Sequence, residues 1–329
     1  MKKTLLLFLI FLLILFIAAC GNNTTVKETT TQEKSDELQI YTTVYPLQYF
    51  AERIGGDAVT VSSIYPAGAN EHTFEPTQKD MMSLADADLF FYIGLGLEGF
   101  VENAMKTLAN EHVKMVATID SVPDDQLVED SHSDHDEASE ETSEHAQEGH
   151  DDHDHGKVDP HVWISPKISQ NLALSIKDSL IEAAPSQKEA FEKNYDGLIT
   201  ELQELDADYS EMAQNSPNKT FFVSHSAFGY ISNTYGLEQV AVAGLNSQDE
   251  PSQKELTKII DLAKDKNIKY ILFEQNVSSK LSEVIQKEVG AESLVLHNLG
   301  VLSKDDINNN ETYFTLMNKN LETLRTALQ

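Results

Sequence analysis

Short apolar runs rich in β-branched residues alternate with helical patterns along most of this chain. Eight such runs are predicted strands, at residues 38–44, 59–65, 87–94, 114–119, 220–224, 239–243, 269–274 and 293–297. The alternation is typical of parallel sheets with helices on both faces, because each parallel connection needs a crossover that a helix can supply. Four runs precede residue 120 and four follow residue 219, so we predict an α/β fold with two similar lobes.

The segments between these runs carry helix signals. Thr77 with Asp80, and Ser252 with Glu255, have the spacing of a capping box at a helix start. Gly290 is a typical helix stop. The predicted helices cover residues 47–54, 77–84, 98–109, 252–266, 279–289 and 311–328.

The most helical part of the chain lies between the two halves. Ser165 followed by Pro166 is typical of an N-cap and a first helical residue. After a restart at Pro185, few helix breakers occur over residues 186–215, a length of about 43 Å at 1.5 Å per residue. We therefore predict one long rigid helix that joins an N-terminal lobe, residues 38–185, to a C-terminal lobe, residues 216–329.

The first 19 residues have the pattern of an export signal. Lys2 and Lys3 precede an apolar run that is shorter than the roughly 20 residues of a membrane-spanning helix. The run ends in small residues before Cys20, the only cysteine, so no intramolecular disulfide is possible. The pattern resembles the lipobox of bacterial lipoproteins. This resemblance implies cleavage before Cys20, lipidation of Cys20, and a flexible tether over residues 20–37.

An acidic, histidine-rich segment interrupts the predicted N-terminal lobe. Residues 124–155 contain fourteen Asp and Glu, no Lys or Arg, and six histidines: His132, His135, His145, His150, His153 and His155. Imidazoles suit Zn, Cu and Ni, and the carboxylates add a negative field. We interpret residues 124–157 as a disordered loop that gathers metal with low affinity, with a solvated acidic spacer as the alternative. The net charge of −30 excludes nucleic acid as a partner and favours cations.

Three of the five remaining histidines occupy comparable positions. His72 lies in a loop between a predicted strand and a helix, His161 lies just before a helix, and His225 follows a strand. Ligand sites in parallel sheets gather beyond the carboxyl ends of strands, so these histidines can converge in one cleft. Any one of them taken alone is better explained as a structural histidine with hydrogen-bonding partners. We expect His112 at the surface, and His297 has no evident partner.

Four segments, in this order, resemble the metal-binding lipoproteins of zinc and manganese ATP-binding-cassette importers. They are PAGANEHTFEP at 66–76, DPHVWISP at 159–166, SHSAFGY at 224–230 and FEQNVSSK at 273–280. The resemblance covers nearly all of residues 38–328. It implies two α/β lobes joined by one long helix, with a single metal ion held in the cleft by His72, His161 and His225.

The resemblance also bears on the choice of metal. Manganese members have a carboxylate where this chain has His225, whereas three imidazoles suit Zn(II). Several relatives carry an acidic ligand near the position of Gly300, which cannot ligate. Glu71 and Glu274 are therefore candidates either for a fourth ligand or for a carboxylate that supports the histidines, and water is another fourth ligand. Further candidates for fixing the imidazoles are Asp159, Ser224 and Ser226.

The implied function is capture of Zn(II) as transported cargo. By resemblance, the protein is lipid-anchored at the outer face of the bacterial cytoplasmic membrane and delivers zinc to a permease and its ATPase. We expect a monomer. Three histidines plus water also form a hydrolytic zinc centre, but the chain has neither an H-E-x-x-H motif nor a nucleophile elbow, so we predict no enzyme. A manganese-binding homologue, or a surface metal buffer or adhesin, remains an alternative.

Overall fold

The computed structural model describes residues 37–129, 158–248, 251–275 and 280–329. Two four-stranded sheets, each parallel throughout, have the same strand order, β2-β1-β3-β4 and β6-β5-β7-β8. The strands are β1 (Leu38–Thr42), β2 (Val59–Ser63), β3 (Leu89–Tyr92), β4 (Lys114–Ala117), β5 (Thr220–His225), β6 (Glu238–Ala243), β7 (Tyr270–Phe273) and β8 (Glu292–Val295). All eight predicted strands are present, with ends within two residues of the prediction. The shared order confirms two similar α/β lobes.

Helices connect the strands and cover the sheets. In the described part of the chain they are α1 (Tyr45–Gly55), α2 (Gln78–Ala85), α3 (Val101–Thr107), α4 (Pro166–Ala183), α5 (Lys188–Asn215), α6 (Gly229–Tyr235), α7 (Gln253–Asp265), α8 (Lys280–Val289), α9 (Lys304–Asn308) and α10 (Tyr313–Ala327). The capping boxes predicted at Thr77 and Ser252 are both formed. Helices α6 and α9 escaped prediction because five to seven residues are too few to show a helical period.

The long helix α5 joins the lobes as predicted. Its 28 residues span about 42 Å. It packs on α1 and α4 from the N-terminal half and on α6 and α10 from the C-terminal half. Its buried side chains recur at three- and four-residue intervals, which places them along one stripe. They are Phe191, Leu198, Leu202, Leu205, Tyr209, Met212 and Ala213.

One hydrophobic core runs through both lobes. The ring of Tyr313 in α10 stacks on Tyr49 of α1, with centroids 6.2 Å apart, and meets Phe50 edge-on at 5.0 Å. The Tyr313 hydroxyl lies 3.2 Å from the Ser169 hydroxyl and donates to the backbone oxygen of Trp163. The last helix of the C-terminal half is therefore packed against the N-terminal half, and the aromatic contact ties the two together.

The histidine-rich segment is partly corrected by the structure. Asp124–Gln126 form a 3₁₀ turn rather than disordered chain, and Glu129 pairs with Val158 in an antiparallel bridge. Asn171 donates to the side chain of Gln126, which explains the order of this turn. The predicted signal (1–19), Cys20 and the six histidines from 132 to 155 lie outside the described residues, as does the tether apart from residue 37. Within the described ranges, no helix is both long enough and apolar enough to cross a membrane.

The packing of α5 leads to a stability prediction. Leu202 is fully buried, so Leu202→Ala should lower the free energy of unfolding by about 2–5 kcal/mol. Its exposed neighbour provides the control, because Gln203→Ala should change stability by no more than about 0.5 kcal/mol. Urea unfolding followed by circular dichroism measures both values. Equal effects of the two substitutions would contradict the buried stripe.

Candidate metal centre

Three histidines from distant parts of the chain meet between the lobes. His72 lies in the loop after β2, His161 lies just before the 3₁₀ turn Val162–Ile164, and His225 is the last residue of β5. Their ring centroids are separated by 4.9–5.3 Å. One nitrogen from each ring lies within 4.8 Å of the other two, and this is the single group of metal-ligating side chains found among the described residues. Their role as ligands stays a prediction.

The nitrogens of two rings already have a separation that suits a metal. The Nε2 atoms of His72 and His161 are 3.2 Å apart. Two nitrogens bound to one tetrahedral zinc at about 2.0–2.1 Å are about 3.3–3.4 Å apart, so little movement is needed for both to bind the same ion.

A buried carboxylate orients His161. Asp159 Oδ1 lies 2.8 Å from Nδ1 of His161 and accepts a hydrogen bond from the backbone N–H of the same residue at 2.9 Å. The Tyr230 hydroxyl donates to the backbone oxygen of Asp159 at 2.7 Å. Gly229 leaves the space that this carboxylate needs, because a Cβ there would lie 2.5 Å from Asp159 Oδ2. When Asp159 is ionised it can only accept, so Nδ1 carries the proton and Nε2 of His161 is left free to bind a metal.

A second buried carboxylate supports His225. Glu274 Oε2 lies 3.2 Å from His225 Nδ1. The Nδ2 group of Asn298 donates to Glu274 at 2.8 Å and to Glu71 at 2.9 Å. The backbone oxygen of Asn298 accepts from Trp163 Nε1 at 2.7 Å. One buried amide therefore holds both of the acidic residues that sequence analysis singled out, close behind the histidines.

Glu71 occupies space that Gly300 leaves open. Its carboxylate is 3% exposed. A Cβ on Gly300 would lie 2.7 Å from Glu71 Oε1. A carboxylate from the N-terminal lobe therefore lies directly against Gly300 of the C-terminal lobe. Within the described residues, neither Glu71 nor Glu274 belongs to the group formed by the three imidazoles.

Burial and charge give the three imidazoles different protonation. Burial lowers the pKa of His72 to about 2, helped by the other two rings, and holds the pKa of His161 well below its usual range. Burial also acts to lower the pKa of His225, but the charge and hydrogen bond of Glu274 outweigh it and raise that pKa to about 9. Two rings are thus neutral at pH 7 and one is protonated.

Burial raises, rather than lowers, the pKa values of two carboxylic acids near the histidines. Burial raises the pKa of Glu71 and that of Asp159 to about 7 each. A cation in the centre would favour their ionised forms, because an opposite charge nearby stabilises a carboxylate. The surroundings of the three histidines therefore favour a bound cation.

Four other residues considered from the sequence do not belong to the group of three histidines. His112 is exposed, as expected. His297 is buried, and its Nε2 lies 3.2 Å from Asp306, the partner that the sequence did not reveal. Ser224 lies within 3.5 Å of Glu274, whereas Ser226 accepts a hydrogen bond from Gln239.

Sequence reasoning missed the groups that hold the predicted residues in place. Besides Asn298, they are Asn70, which accepts a hydrogen bond from the backbone N–H of His72, Ser247, which accepts one from Asn70, and Leu245, whose backbone oxygen lies 2.9 Å from His225 Nε2. Leu245 acts through its backbone oxygen, and no residue pattern reports on such an atom. Asn298 is recognisable only once Glu71 and Glu274 are known to meet, 203 residues apart along the chain.

One protein family model matches nearly all of the chain from the first strand onward. The family model described as "ZnuA: Zinc-uptake complex component A periplasmic" matches residues 40–327. The chain belongs to the ZnuA family. The resemblance to zinc solute-binding proteins that the sequence motifs predict is thereby confirmed.

Two curated relatives and one solved structure illustrate the match. The chain is 37% identical over 298 residues to zinc-binding lipoprotein AdcA of Streptococcus pneumoniae, which covers 89% of this chain and 56% of AdcA. It is 36% identical over 295 residues to the high-affinity zinc uptake system protein ZnuA of Bacillus subtilis, which covers 90% of this chain and 89% of ZnuA. The crystal structure of Zn(II)-bound AdcA from S. pneumoniae has a TM-score of 0.71 at 33% identity, covering 89% of this chain and 58% of that chain. The ZnuA-family chain thus spans just over half the length of AdcA.

The space at Gly300 leads to a prediction about the metal-free protein. Gly300→Ala should reduce the free energy of unfolding by about 1–3 kcal/mol, because its Cβ displaces the Glu71 carboxylate from Asn298. In a Glu71→Ala background the same substitution should cost much less. Gly99→Ala, which meets no atom within 4 Å, is the control. Urea unfolding of the four variants measures these values, and an equal cost in both backgrounds would contradict the steric explanation.

Proposed function

We propose that this protein binds one Zn(II) ion between its lobes as cargo and delivers it to an ATP-binding-cassette permease. The observation that carries the proposal is the meeting of three imidazoles, two of them with a carboxylate at the other ring nitrogen. Neutral imidazole is a preferred zinc ligand, and a carboxylate behind it fixes its orientation and raises its basicity. The names of AdcA and ZnuA as zinc-binding and zinc-uptake proteins support the same function.

In the proposed site, His72, His161 and His225 ligate the zinc. Asp159 and Glu274 hold two of the rings, and a water molecule or Glu71 completes the coordination. An all-nitrogen set of protein ligands favours Zn(II) over Mn(II), which prefers carboxylate and other oxygen ligands. The protein's part is binding and release rather than catalysis.

The proposal includes the organisation of the whole chain. A signal over residues 1–19 is removed, Cys20 is lipidated, and residues 20–37 tether the protein to the outer face of the bacterial cytoplasmic membrane. Residues 38–185 and 216–329 form the lobes, joined through 186–215. The histidines from 132 to 155 gather zinc with low affinity, and the working unit is a monomer with a permease and its ATPase as partners.

Removal of single imidazoles tests the zinc site. The purified chain should bind one tightly held zinc, and His72→Ala, His161→Ala or His225→Ala should each weaken binding by more than the about 10–100-fold typical of losing a group behind a ligand. His112→Ala is the matched control, since this histidine is exposed, and it should bind zinc like the unaltered protein. The fluorescence of Trp163, whose ring lies 5.3 Å from that of His161, reports the binding alongside elemental analysis.

Two results would contradict the proposed zinc-binding function. Tight binding that survives all three substitutions would place the zinc elsewhere. Zinc-dependent hydrolysis of model esters that disappears with the same substitutions would favour an enzyme instead.

The raised pKa of His225 predicts how zinc binding depends on pH. Below pH 9 this ring carries a proton that zinc must displace, so affinity should rise by at least tenfold for each pH unit between pH 6 and 8, and more steeply below pH 7, where Glu71 and Asp159 also lose protons on binding. Glu274→Gln removes the charge that does most to raise the pKa of His225 and leaves only the Leu245 oxygen and Glu71 to oppose burial, so the zinc affinity of this variant should depend less steeply on pH than that of the unaltered protein. Competition with a chelator at several pH values measures both slopes. Equal slopes for the two proteins would contradict the part assigned to Glu274.

A further inference from the structure

Two loops from opposite lobes meet beside the three histidines. One loop follows β2 and contains His72, the first of the three histidines along the chain. The other, residues 244–248, follows β6. Because the two sheets have the same strand order, β2 and β6 are equivalent edge strands, and the loops leave their lobes from equivalent places.

A hydrogen bond between side chains joins these loops. Asn70 Nδ2 donates to Ser247 Oγ at 3.0 Å, across 177 residues of sequence. We call this contact the interlobe bridge. The other end of the same amide, Asn70 Oδ1, accepts from the backbone N–H of His72 at 2.9 Å. One side chain therefore fixes the backbone of a proposed ligand and holds the opposite lobe at the same time.

The second loop also reaches a proposed ligand. The backbone oxygen of Leu245, two residues before Ser247, lies 2.9 Å from Nε2 of His225. Glu274 holds the other nitrogen of this ring, so a bound zinc would replace the contact with Leu245. The interlobe bridge is thus part of a continuous path from His72 through Asn70 and Ser247 to the loop that contacts His225. Movement of either loop away from the other would break the bridge and alter the surroundings of both rings.

The three histidines differ in solvent exposure, which indicates the side from which an ion could reach them. His161 and His225 are 0% exposed, whereas His72 is only partly buried. The centre is therefore accessible from the side of His72, where Asn70 and Ser247 meet, and both of these side chains are themselves partly exposed. The bridge lies at the opening rather than behind the site.

We infer that Asn70 and Ser247 are positioning residues that slow the release of the bound ion by holding the two loops together. The inference rests on the proposed zinc site and adds to it a residue pair that controls how long the ion stays. A hydrogen bond of this kind contributes a net stabilisation that corresponds to about a two- to tenfold change in a rate or equilibrium constant. The bridge is already formed in this structure, so it must break before the loops can part and let a bound ion leave.

Release kinetics of the full chain test the inference. Zinc-loaded protein is mixed with excess chromophoric chelator in a stopped-flow instrument, and Ser247→Ala should release zinc about two- to tenfold faster than the unaltered protein. Asn70→Ala, which also loses the bond to His72, should release zinc at least as fast. Ser247→Thr keeps the hydroxyl and should restore slow release.

A neighbouring residue supplies the matched control. Asn246 accepts a hydrogen bond from the backbone of Gln248 within the same loop and makes no bond to the other lobe among the described contacts. Asn246→Ala should therefore leave zinc release unchanged. Equally fast release from Asn246→Ala and Ser247→Ala would show that general loosening of the loop is responsible, and this result would overturn the inference.

A measurement without zinc separates this inference from the proposed function. Unfolding of the metal-free Asn70→Ala, Ser247→Ala and double variants should be non-additive, because the second substitution removes a bond that the first has already broken. If the unaltered chain binds no zinc at the histidines, the proposed function fails whatever this coupling is. If it binds zinc and Ser247→Ala releases it at the normal rate, the interlobe bridge fails while the proposed function stands.

Discussion

The architecture of the centre depends on burying carboxylates beside imidazoles. An isolated charge inside a protein is costly, so each buried acid must be paired or bound by hydrogen bonds. Asp159 is held by the ring and the backbone of His161, and Glu274 is held by His225 and Asn298. These pairs orient the imidazoles, and the imidazoles in turn stabilise the acids. The remaining groups around the centre serve to keep these pairs in position.

Two glycines provide the room for this arrangement. Gly229, at the start of α6, lies against Asp159, and Gly300, after β8, lies against Glu71. Neither requires an unusual backbone angle, since neither is among the residues with positive φ. Glycine is required at both positions because a side chain there would collide with the carboxylate. Each allows a carboxylate to approach a neighbouring backbone segment more closely than any other residue would permit.

The connection between the lobes limits how an ion can enter. Tyr313 in the last helix is packed on Tyr49 and Phe50 of the first, and one core extends through both lobes. Separating the lobes as rigid bodies would expose this aromatic surface to water, at a cost that grows with the apolar area exposed. Local parting of the loops at Asn70 and Ser247 breaks one side-chain hydrogen bond, while Phe74 in the His72 loop can keep its contacts with Tyr65 and Phe100. For the proposed zinc site, such a local movement is therefore a less costly route than separation of the lobes.

The sequence by itself determined the elements and the three histidines. Short apolar runs rich in β-branched residues located all eight strands, because strands of parallel sheets are apolar over much of their length, and a stretch with few helix breakers located α5. Positions at a strand end or beside a helix start, together with four segments that resemble a known family, pointed to His72, His161 and His225. The short helices α6 and α9 and the order at Asp124–Gln126 were not predicted, since these segments take their conformation from contacts such as that between Asn171 and Gln126.

Only the tertiary structure decided how the site is built around those histidines. The role of Asn298 between Glu71 and Glu274, the contact of Gly300 with a carboxylate from the other lobe, and the bond between Asn70 and Ser247 all join residues far apart in sequence. Local patterns report which face of an element is buried but not which element lies opposite. Distances between side chains are set by the packing of the two lobes on one core, so the hydrogen bonds across the cleft appear only in three dimensions.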